Sequence, residues 1–208
     1  MNFSQYFSRQ ARKPSGWFGK WIMSPLFDRG NAFLNNFMID ILDVQKNDHI
    51  LEIGFGTGKV LYELAKNINN GIFEGIDFSP PMIEVAERKN KKFIEQGRII
   101  LHQGDFMDYS FAKNNFDKIL SCNTVYFWAE PEDYLKKIRR ILKPGGKAVI
   151  AFEDKGHLTN RSLDADTFRL YGKDEILSLF KVDGLFKEIR VLTRKKGTQQ
   201  YQCAVAVK

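Results

Sequence analysis

The sequence predicts an α/β protein built on a parallel sheet, and three observations support this prediction. Short apolar runs alternate with segments of helical periodicity, which is typical of βαβ units. A glycine-rich turn separates the first apolar run from the first helical segment. An acidic residue, Asp77, ends the second apolar run, about twenty residues beyond that turn.

The predicted elements follow from these runs and from the turn residues between them. Strands are expected at 49–54, 72–77, 98–102, 116–122 and 147–152, and a closing hairpin around Gly197 at 186–192 and 201–207. Helices are expected at 31–42, 59–69, 131–142 and 173–181, with another after Ser79, which can act as its N-cap. Pro80 and Pro81 suit the first turn of that helix. The segment Lys143-Pro144-Gly145-Gly146 should stop the helix that Pro131 opens.

The composition indicates one globular domain. The chain has 208 residues, of which 43% are hydrophobic and 27% charged. No apolar run approaches the roughly 20 residues that cross a bilayer, and the first ten residues lack the apolar stretch of a secretory signal. Two distant cysteines, Cys122 and Cys203, and three scattered histidines argue against disulfides and metal sites. We therefore expect a cytoplasmic protein without a metal.

The glycine-rich turn indicates which kind of cofactor the chain binds. Glycines stand at 54, 56 and 58, where they let the backbone turn sharply and approach a ligand. A dinucleotide-binding loop requires a further glycine at 59, but that residue is Lys59. The pattern therefore favours a cofactor without a pyrophosphate and disfavours an NAD-dependent oxidoreductase.

Two carboxylates follow the second and third strands. Asp77 can accept hydrogen bonds from both hydroxyls of a ribose. Asp105 could accept one from an adenine amino group, and Phe106 offers an apolar wall to the same ring. Taken alone, an aspartate in a loop is usually a turn residue, so the prediction depends on the order of these elements along the chain.

Together these motifs resemble the class I S-adenosylmethionine-dependent methyltransferases, specifically the small-molecule "type 11" kind. The resemblance covers about half of the chain, residues 48–153, and rests on five motifs in order: Leu51 to Gly58, Asp77, Gly104-Asp105, Phe116-Asp117 and Leu142 to Gly146. It implies a Rossmann-like, mostly parallel sheet of seven strands in the order 3-2-1-4-5-7-6, the last antiparallel, with helices on both faces. It also implies S-adenosylmethionine as the cofactor.

The resemblance also assigns roles to residues. Glu52 and the loop of Gly54, Gly56 and Gly58 should surround the methionine part of the cofactor, with Asn123 near the same end. Asp77 should hold the ribose. The adenine should lie against Asp105 and Phe106, with Phe78 on its other face.

The methyl acceptor is expected to be a small molecule, bound beside the ends of the fourth and fifth strands. Residues 1–47 form a predicted N-terminal helical lid, and residues 154–208 a predicted acceptor-side region with the closing hairpin. The acceptor-contacting candidates are Tyr6, Trp17, Tyr126, Trp128 and Glu153. No residue is marked as a general base, although Glu153, Asp154 and His157 lie nearest by position, and loop polarity explains them equally well.

Other functions compete with this one. The net charge of +7 raises the alternative of RNA or protein methylation, but the charge is spread along the chain, so nucleic acid is disfavoured. A catalytically silent protein of the same fold is a further alternative. Basic and aromatic residues interleave between Arg9 and Trp21, which suits at most weak peripheral membrane association. Cys122 lacks the preceding proline of a cytosine-type nucleophile and is interpreted as a buried strand residue.

Overall fold

A computed structural model describes residues 29–159, 164 and 167–208. The predicted contacts of Tyr6 and Trp17, and most of the predicted lid, lie outside these residues. Within the described part of the chain, no helix combines the length and apolar character that crossing a bilayer requires.

Seven strands form one sheet, in the predicted order β3-β2-β1-β4-β5-β7-β6. The strands are β1 (His49–Ile53), β2 (Ile72–Asp77), β3 (Ile99–Gln103), β4 (Phe116–Cys122), β5 (Leu142–Glu153), β6 (Glu188–Lys196) and β7 (Gln199–Val207). The pairs among β1 to β5 are parallel. β7 runs antiparallel to both β5 and β6, which confirms the predicted Rossmann-like methyltransferase topology.

Helices cover both faces of the sheet. They are α1 (Ala32–Leu42), α2 (Lys59–Asn67), α3 (Pro80–Glu95), α4 (Pro131–Ile141), the short α5 (Lys155–Leu158) and α6 (Lys173–Lys181). On one face, buried residues of α1, α2 and α3 pack against the sheet. On the other face, α4 and α6 pack together with the aromatic segment that follows β4.

Two boundaries differ from prediction for reasons of tertiary pairing. Strand β5 includes the segment Lys143-Pro144-Gly145-Gly146. Its neighbours on both sides pair with β4: Leu142 with Phe116 and, after a shift in register, Lys147 with Lys118. The closing hairpin extends to Lys196 and Gln199, with Gly197 in the left-handed region at φ +61°. Its extra residues are polar, so hydrophobic periodicity does not detect them.

Candidate functional site

The carboxyl ends of β1, β2, β4 and β5 lie along one edge of the sheet, and the glycine-rich turn is part of this edge. The turn joins Ile53 at the end of β1 to Lys59 at the start of α2. Gly54, Gly56 and Gly58 have φ values of +72°, +53° and +67°. Left-handed backbone of this kind favours glycine, which explains why glycine occupies all three positions.

The surroundings of the three glycines differ. A Cβ at Gly54 would overlap Thr124 Cγ2, and one at Gly58 would lie 2.5 Å from Asn90 Nδ2, so both ends of the turn are packed. A Cβ at Gly56 would have no protein atom within 4 Å. The centre of the turn therefore faces open space, whereas its two ends are held by protein.

Asp77 holds the centre of this turn from the neighbouring strand. Its side chain is buried, and its Oδ2 accepts a hydrogen bond of 2.8 Å from the Gly56 N–H. Its Oδ1 accepts one of 2.9 Å from the Ser79 N–H at the start of α3. Burial raises the pKa of Asp77, and these backbone donors oppose the rise. Because a carboxylate oxygen can accept more than one hydrogen bond, Asp77 can bind a further donor while it supports the turn.

Glu52 contributes a buried acceptor to the same edge. Its side chain is 2% exposed, and its Oε2 has no hydrogen-bond partner. Burial, and then the nearby charge of Asp77, raise the pKa of Glu52 well above its ordinary value of 4.5. An unpartnered buried acceptor costs stability unless a ligand supplies the donor. Together with the open space at Gly56, this atom fits a ligand that carries hydrogen-bond donors or a positive charge.

Asn123, just beyond β4, connects the start of α1, the segment after β4 and the end of β5. Its backbone is left-handed, with φ +55°, a conformation that asparagine tolerates better than most residues. Its Nδ2 donates to Asn31 Oδ1 at 2.9 Å. Its Oδ1 accepts from the Tyr126 hydroxyl at 3.1 Å and from the Glu153 N–H at 3.3 Å. Most of its amide is therefore used within the protein.

The residues predicted to contact adenine lie at different depths. Asp105 is exposed, and its Oδ1 accepts from the Met107 N–H at 2.8 Å. Phe78 is half-buried. Phe106 is 4% exposed, and its ring contacts Tyr134, with 5.6 Å between centroids. The contacts observed for Phe106 are those of a core side chain, and an adenine contact at each of these positions stays a prediction.

The predicted acceptor residues among the described part of the chain are buried. The Tyr126 hydroxyl accepts from the Glu153 N–H at 2.6 Å, and its one proton is shared between the Glu153 carbonyl at 3.0 Å and Asn123 Oδ1 at 3.1 Å. Trp128 stacks on Tyr134 at 4.7 Å with an interplanar angle of 11°. The Glu153 carboxylate lies 3.8 Å from His157 Nε2. Tyr126 and Trp128 thus support the wall of the site from within, and direct contact with an acceptor stays a prediction.

The thiol of Cys122 is subject to the charges of two of these carboxylates. Desolvation raises its pKa well above the usual range, and the charges of Glu52 and Glu153 raise it further. A thiol held in its neutral form is a poor nucleophile. Cys122 is a strand residue at the end of β4, as interpreted, but it is half-buried and not fully buried.

Two supporting residues, Ser121 and Asn90, escaped the sequence analysis. Ser121 Oγ donates to the Ile53 carbonyl at 2.8 Å and also contacts Thr124 Oγ1, so the loop after β4 is attached to the start of the glycine turn. Asn90 Nδ2 donates to the Gly58 carbonyl at 3.1 Å from the other side. Asn90 had a detectable signal, because it occupies the apolar face of α3 in helical register with Ala86.

Spacing in the sequence suggested that the three histidines are scattered, but two of them share one partner in the structure. Glu74 on β2 accepts hydrogen bonds of 2.6 Å from Nε2 of both His49 and His102. His102 Nδ1 in turn lies 2.8 Å from the Tyr109 hydroxyl. These partners outweigh the effect of burial and lower the pKa of Glu74 to about 2. The network joins β1, β2 and β3 to the loop that carries Asp105.

Known proteins share both the sequence and the fold. Residues 50–146 match the protein family described as "Methyltransferase domain". The uncharacterized methyltransferase YdaC of Bacillus subtilis is 29% identical over 86% of this chain and 93% of its own length. The putative methyltransferase YrhH of the same organism is 30% identical over 84% of this chain and 86% of its own length. The ubiquinone/menaquinone biosynthesis C-methyltransferase UbiE of Geotalea daltonii is 32% identical over 55% of this chain and 49% of its own.

A solved structure extends the likeness to nearly the whole chain. It is the complex of the Haloferax volcanii Trm112 methyltransferase activator with a putative methyltransferase, which matches with a TM-score of 0.76, 17% identity and 99% coverage of both chains. The sheet order and the solved structure agree on the fold, and the relatives by sequence are named as methyltransferases. The chain belongs to the class I methyltransferases and is an enzyme that uses S-adenosylmethionine.

Proposed function

We propose that this enzyme transfers the methyl group of S-adenosylmethionine to a small-molecule acceptor at the carboxyl edge of β1, β2, β4 and β5. The observation that carries the proposal is the unpartnered Oε2 of Glu52, buried beside a glycine turn whose centre at Gly56 faces open space. A cofactor with a cationic amino group and sulfonium supplies the missing donor and charge.

Different residues of this edge bind different parts of the cofactor. Glu52 and the turn of Gly54, Gly56 and Gly58 hold the methionine part. Asp77, next to Gly56, accepts from the ribose hydroxyls, and the loop at Asp105 meets the adenine. The support for this order is that the three groups lie along one edge, on β1, β2 and the loop after β3.

The bound sulfonium supplies an already activated methyl group, so the protein's contribution is alignment and exclusion of water. Asn123 and Tyr126 keep the ends of β4 and β5 in a fixed relation through their bonds to the Glu153 backbone. Glu153 and His157, 3.8 Å apart at the end of β5, are a candidate pair to take a proton from the acceptor. In-line displacement by an acceptor held there completes the reaction.

Small-molecule chemistry has more support than methylation of RNA or protein. UbiE, by its printed name, acts in the biosynthesis of ubiquinone and menaquinone, which are small molecules. The segment beyond β4 is also aromatic, and its Phe127 packs on Phe168 with 4.8 Å between ring centroids; such surroundings suit a flat or apolar acceptor more than a phosphate backbone.

Calorimetric titration of S-adenosylhomocysteine tests the cofactor site, with NAD as the control ligand. We expect micromolar binding by the wild type, no response to NAD, and about 5- to 150-fold weaker binding by Asp77→Asn, the equivalent of about 1–3 kcal/mol. Asp133→Asn, an exposed site whose side chain is 55% accessible, is the matched control and should bind as the wild type does. Equal affinities for all three proteins would contradict the assignment of Asp77.

Transfer of a labelled methyl group from S-adenosylmethionine into a heat-treated cell extract tests the acceptor class. We expect the label in the fraction that stays soluble after acid precipitation or enters organic solvent. Label recovered in precipitated RNA or protein would contradict a small-molecule acceptor.

A further inference from the structure

We propose that Asn31 is a positioning residue that couples the start of α1 to cofactor binding through Asn123. The inference rests on the proposed function, because it concerns the same edge of the sheet. The side chain of Asn31 is hydrogen-bonded to Asn123 and not to the glycine turn. It acts through a side chain that belongs to the loop packed against that turn.

Asn31 stands at the N-cap of α1 but uses its side chain elsewhere. Its backbone carbonyl accepts from the Asn35 N–H at 2.8 Å, as an N-cap residue's should. Its side chain makes no capping hydrogen bond. Instead, Oδ1 accepts from Asn123 Nδ2 at 2.9 Å, across 92 residues of sequence. The side chain of Asn31 therefore does not cap its own helix and contacts the candidate site instead.

A continuous set of contacts leads from Asn123 to the glycine turn. Thr124, the next residue, contacts Ser121 through its hydroxyl, and its methyl group occupies the space where a Cβ at Gly54 would lie. Ser121 Oγ also donates to the Ile53 carbonyl at 2.8 Å, directly before the turn. A shift of Asn123 therefore moves the groups against which Gly54 is packed.

The far end of α1 has its own attachment, so Asn31 controls only the start of the helix. Lys147 Nζ donates to the carbonyls of Ile41 and Leu42, at 3.5 and 3.3 Å. Leu34 and Met38 are fully buried between these two ends. Loss of the Asn31 contact should therefore loosen the first turn of α1 and leave the rest of the helix in place.

The coupling is reciprocal. If a bound cofactor fixes the turn and the loop that carries Asn123, it also strengthens the contact with Asn31, and removal of that contact must weaken cofactor binding by the same factor. The net worth of one hydrogen bond limits the effect to about three- to tenfold in affinity.

Three variants test the proposal by calorimetric titration with S-adenosylhomocysteine. Asn31→Ala removes the accepting oxygen and should bind about three- to tenfold more weakly. Asn31→Asp keeps an accepting oxygen at the same place and should restore most of the affinity. Asn36→Ala, at an exposed position on the same helix, is the matched control and should bind as the wild type does. Rescue by aspartate separates the hydrogen bond from a general loss of stability.

Hydrogen exchange of residues 29–38 supplies a second readout. S-adenosylhomocysteine should slow exchange of this segment in the wild type and in Asn31→Asp, and should leave it unchanged in Asn31→Ala. Equal affinity and equal protection in wild type and Asn31→Ala would refute the coupling alone. A wild type that does not bind S-adenosylhomocysteine would refute the proposed function, and the coupling with it.

Discussion

Substitution of Gly56 by alanine separates binding from folding more sharply than any other change at the glycine turn. A Cβ at this position meets no protein atom within 4 Å, so the protein itself has room for it. The backbone, at φ +53°, makes an L-residue cost about 1 kcal/mol. For a chain of this size that corresponds to a fall in Tm of about 2–4 °C. The same methyl group projects into the space that we assign to the cofactor.

Gly97 provides the matched control, because its φ is +68° and a Cβ there also meets nothing within 4 Å, at the distant end of α3. We expect Gly97→Ala and Gly56→Ala to lower Tm by a similar amount in thermal unfolding. In titrations with S-adenosylhomocysteine, Gly56→Ala should lose more than about tenfold in affinity, as expected of a steric clash in a packed complex. Gly97→Ala should lose none. Wild-type affinity in Gly56→Ala would refute the assignment of that open space to the cofactor.

Three further predictions concern buried polar groups. Glu52→Gln should unfold at a higher urea concentration than the wild type at pH 7.5 and should bind S-adenosylhomocysteine more weakly. The gain in stability is expected because the folded-state pKa of Glu52 is raised. It should vanish below about pH 4.5, where the folded and the unfolded wild type both keep the proton. Glu74→Gln should lose up to about 3 kcal/mol of unfolding free energy at pH 7 in urea titrations, because the folded-state pKa of Glu74 is lowered to about 2. The difference from the wild type should shrink as the pH falls from 4.5 towards 2. A difference that stays constant with pH would contradict the lowered pKa. Tyr126→Phe should cost about 0.5–1.5 kcal/mol in the same assay, because the Glu153 N–H loses its 2.6 Å acceptor and keeps only Asn123 Oδ1 at 3.3 Å, and an unchanged midpoint would contradict that role.

The sheet order came from the resemblance to the family and is confirmed, whereas the strands themselves could be predicted from the residues for a physical reason. Strands β2 and β4 are buried apolar runs bounded by turn residues, and their limits at Ile72, Asp77, Phe116 and Cys122 match the prediction. Parallel strands place their carboxyl ends together, so the residues that follow them are neighbours whatever their distance in sequence. Asp77 and the glycine turn were predicted to bind parts of one cofactor, and a hydrogen bond of 2.8 Å joins them.

Features that depend on packing between distant segments were not predictable in this way. The burial of Phe106 and Trp128 follows from how their loops fold onto α4, which local periodicity does not encode. Glu74 meets His49 and His102 across 25 and 28 residues, with no shared motif to connect them. The contact of Asn31 with Asn123 spans 92 residues and replaces the capping bond that its local sequence favours.

A crystal structure of the protein with S-adenosylhomocysteine tests the central claim most directly. We expect the ligand along the carboxyl edge of β1 and β2, with its methionine part at Gly56 and within hydrogen-bonding reach of Glu52 Oε2, and its ribose hydroxyls on Asp77. Density for the ligand at another edge of the sheet, or a bound ligand that leaves Glu52 Oε2 unpartnered, would contradict the account.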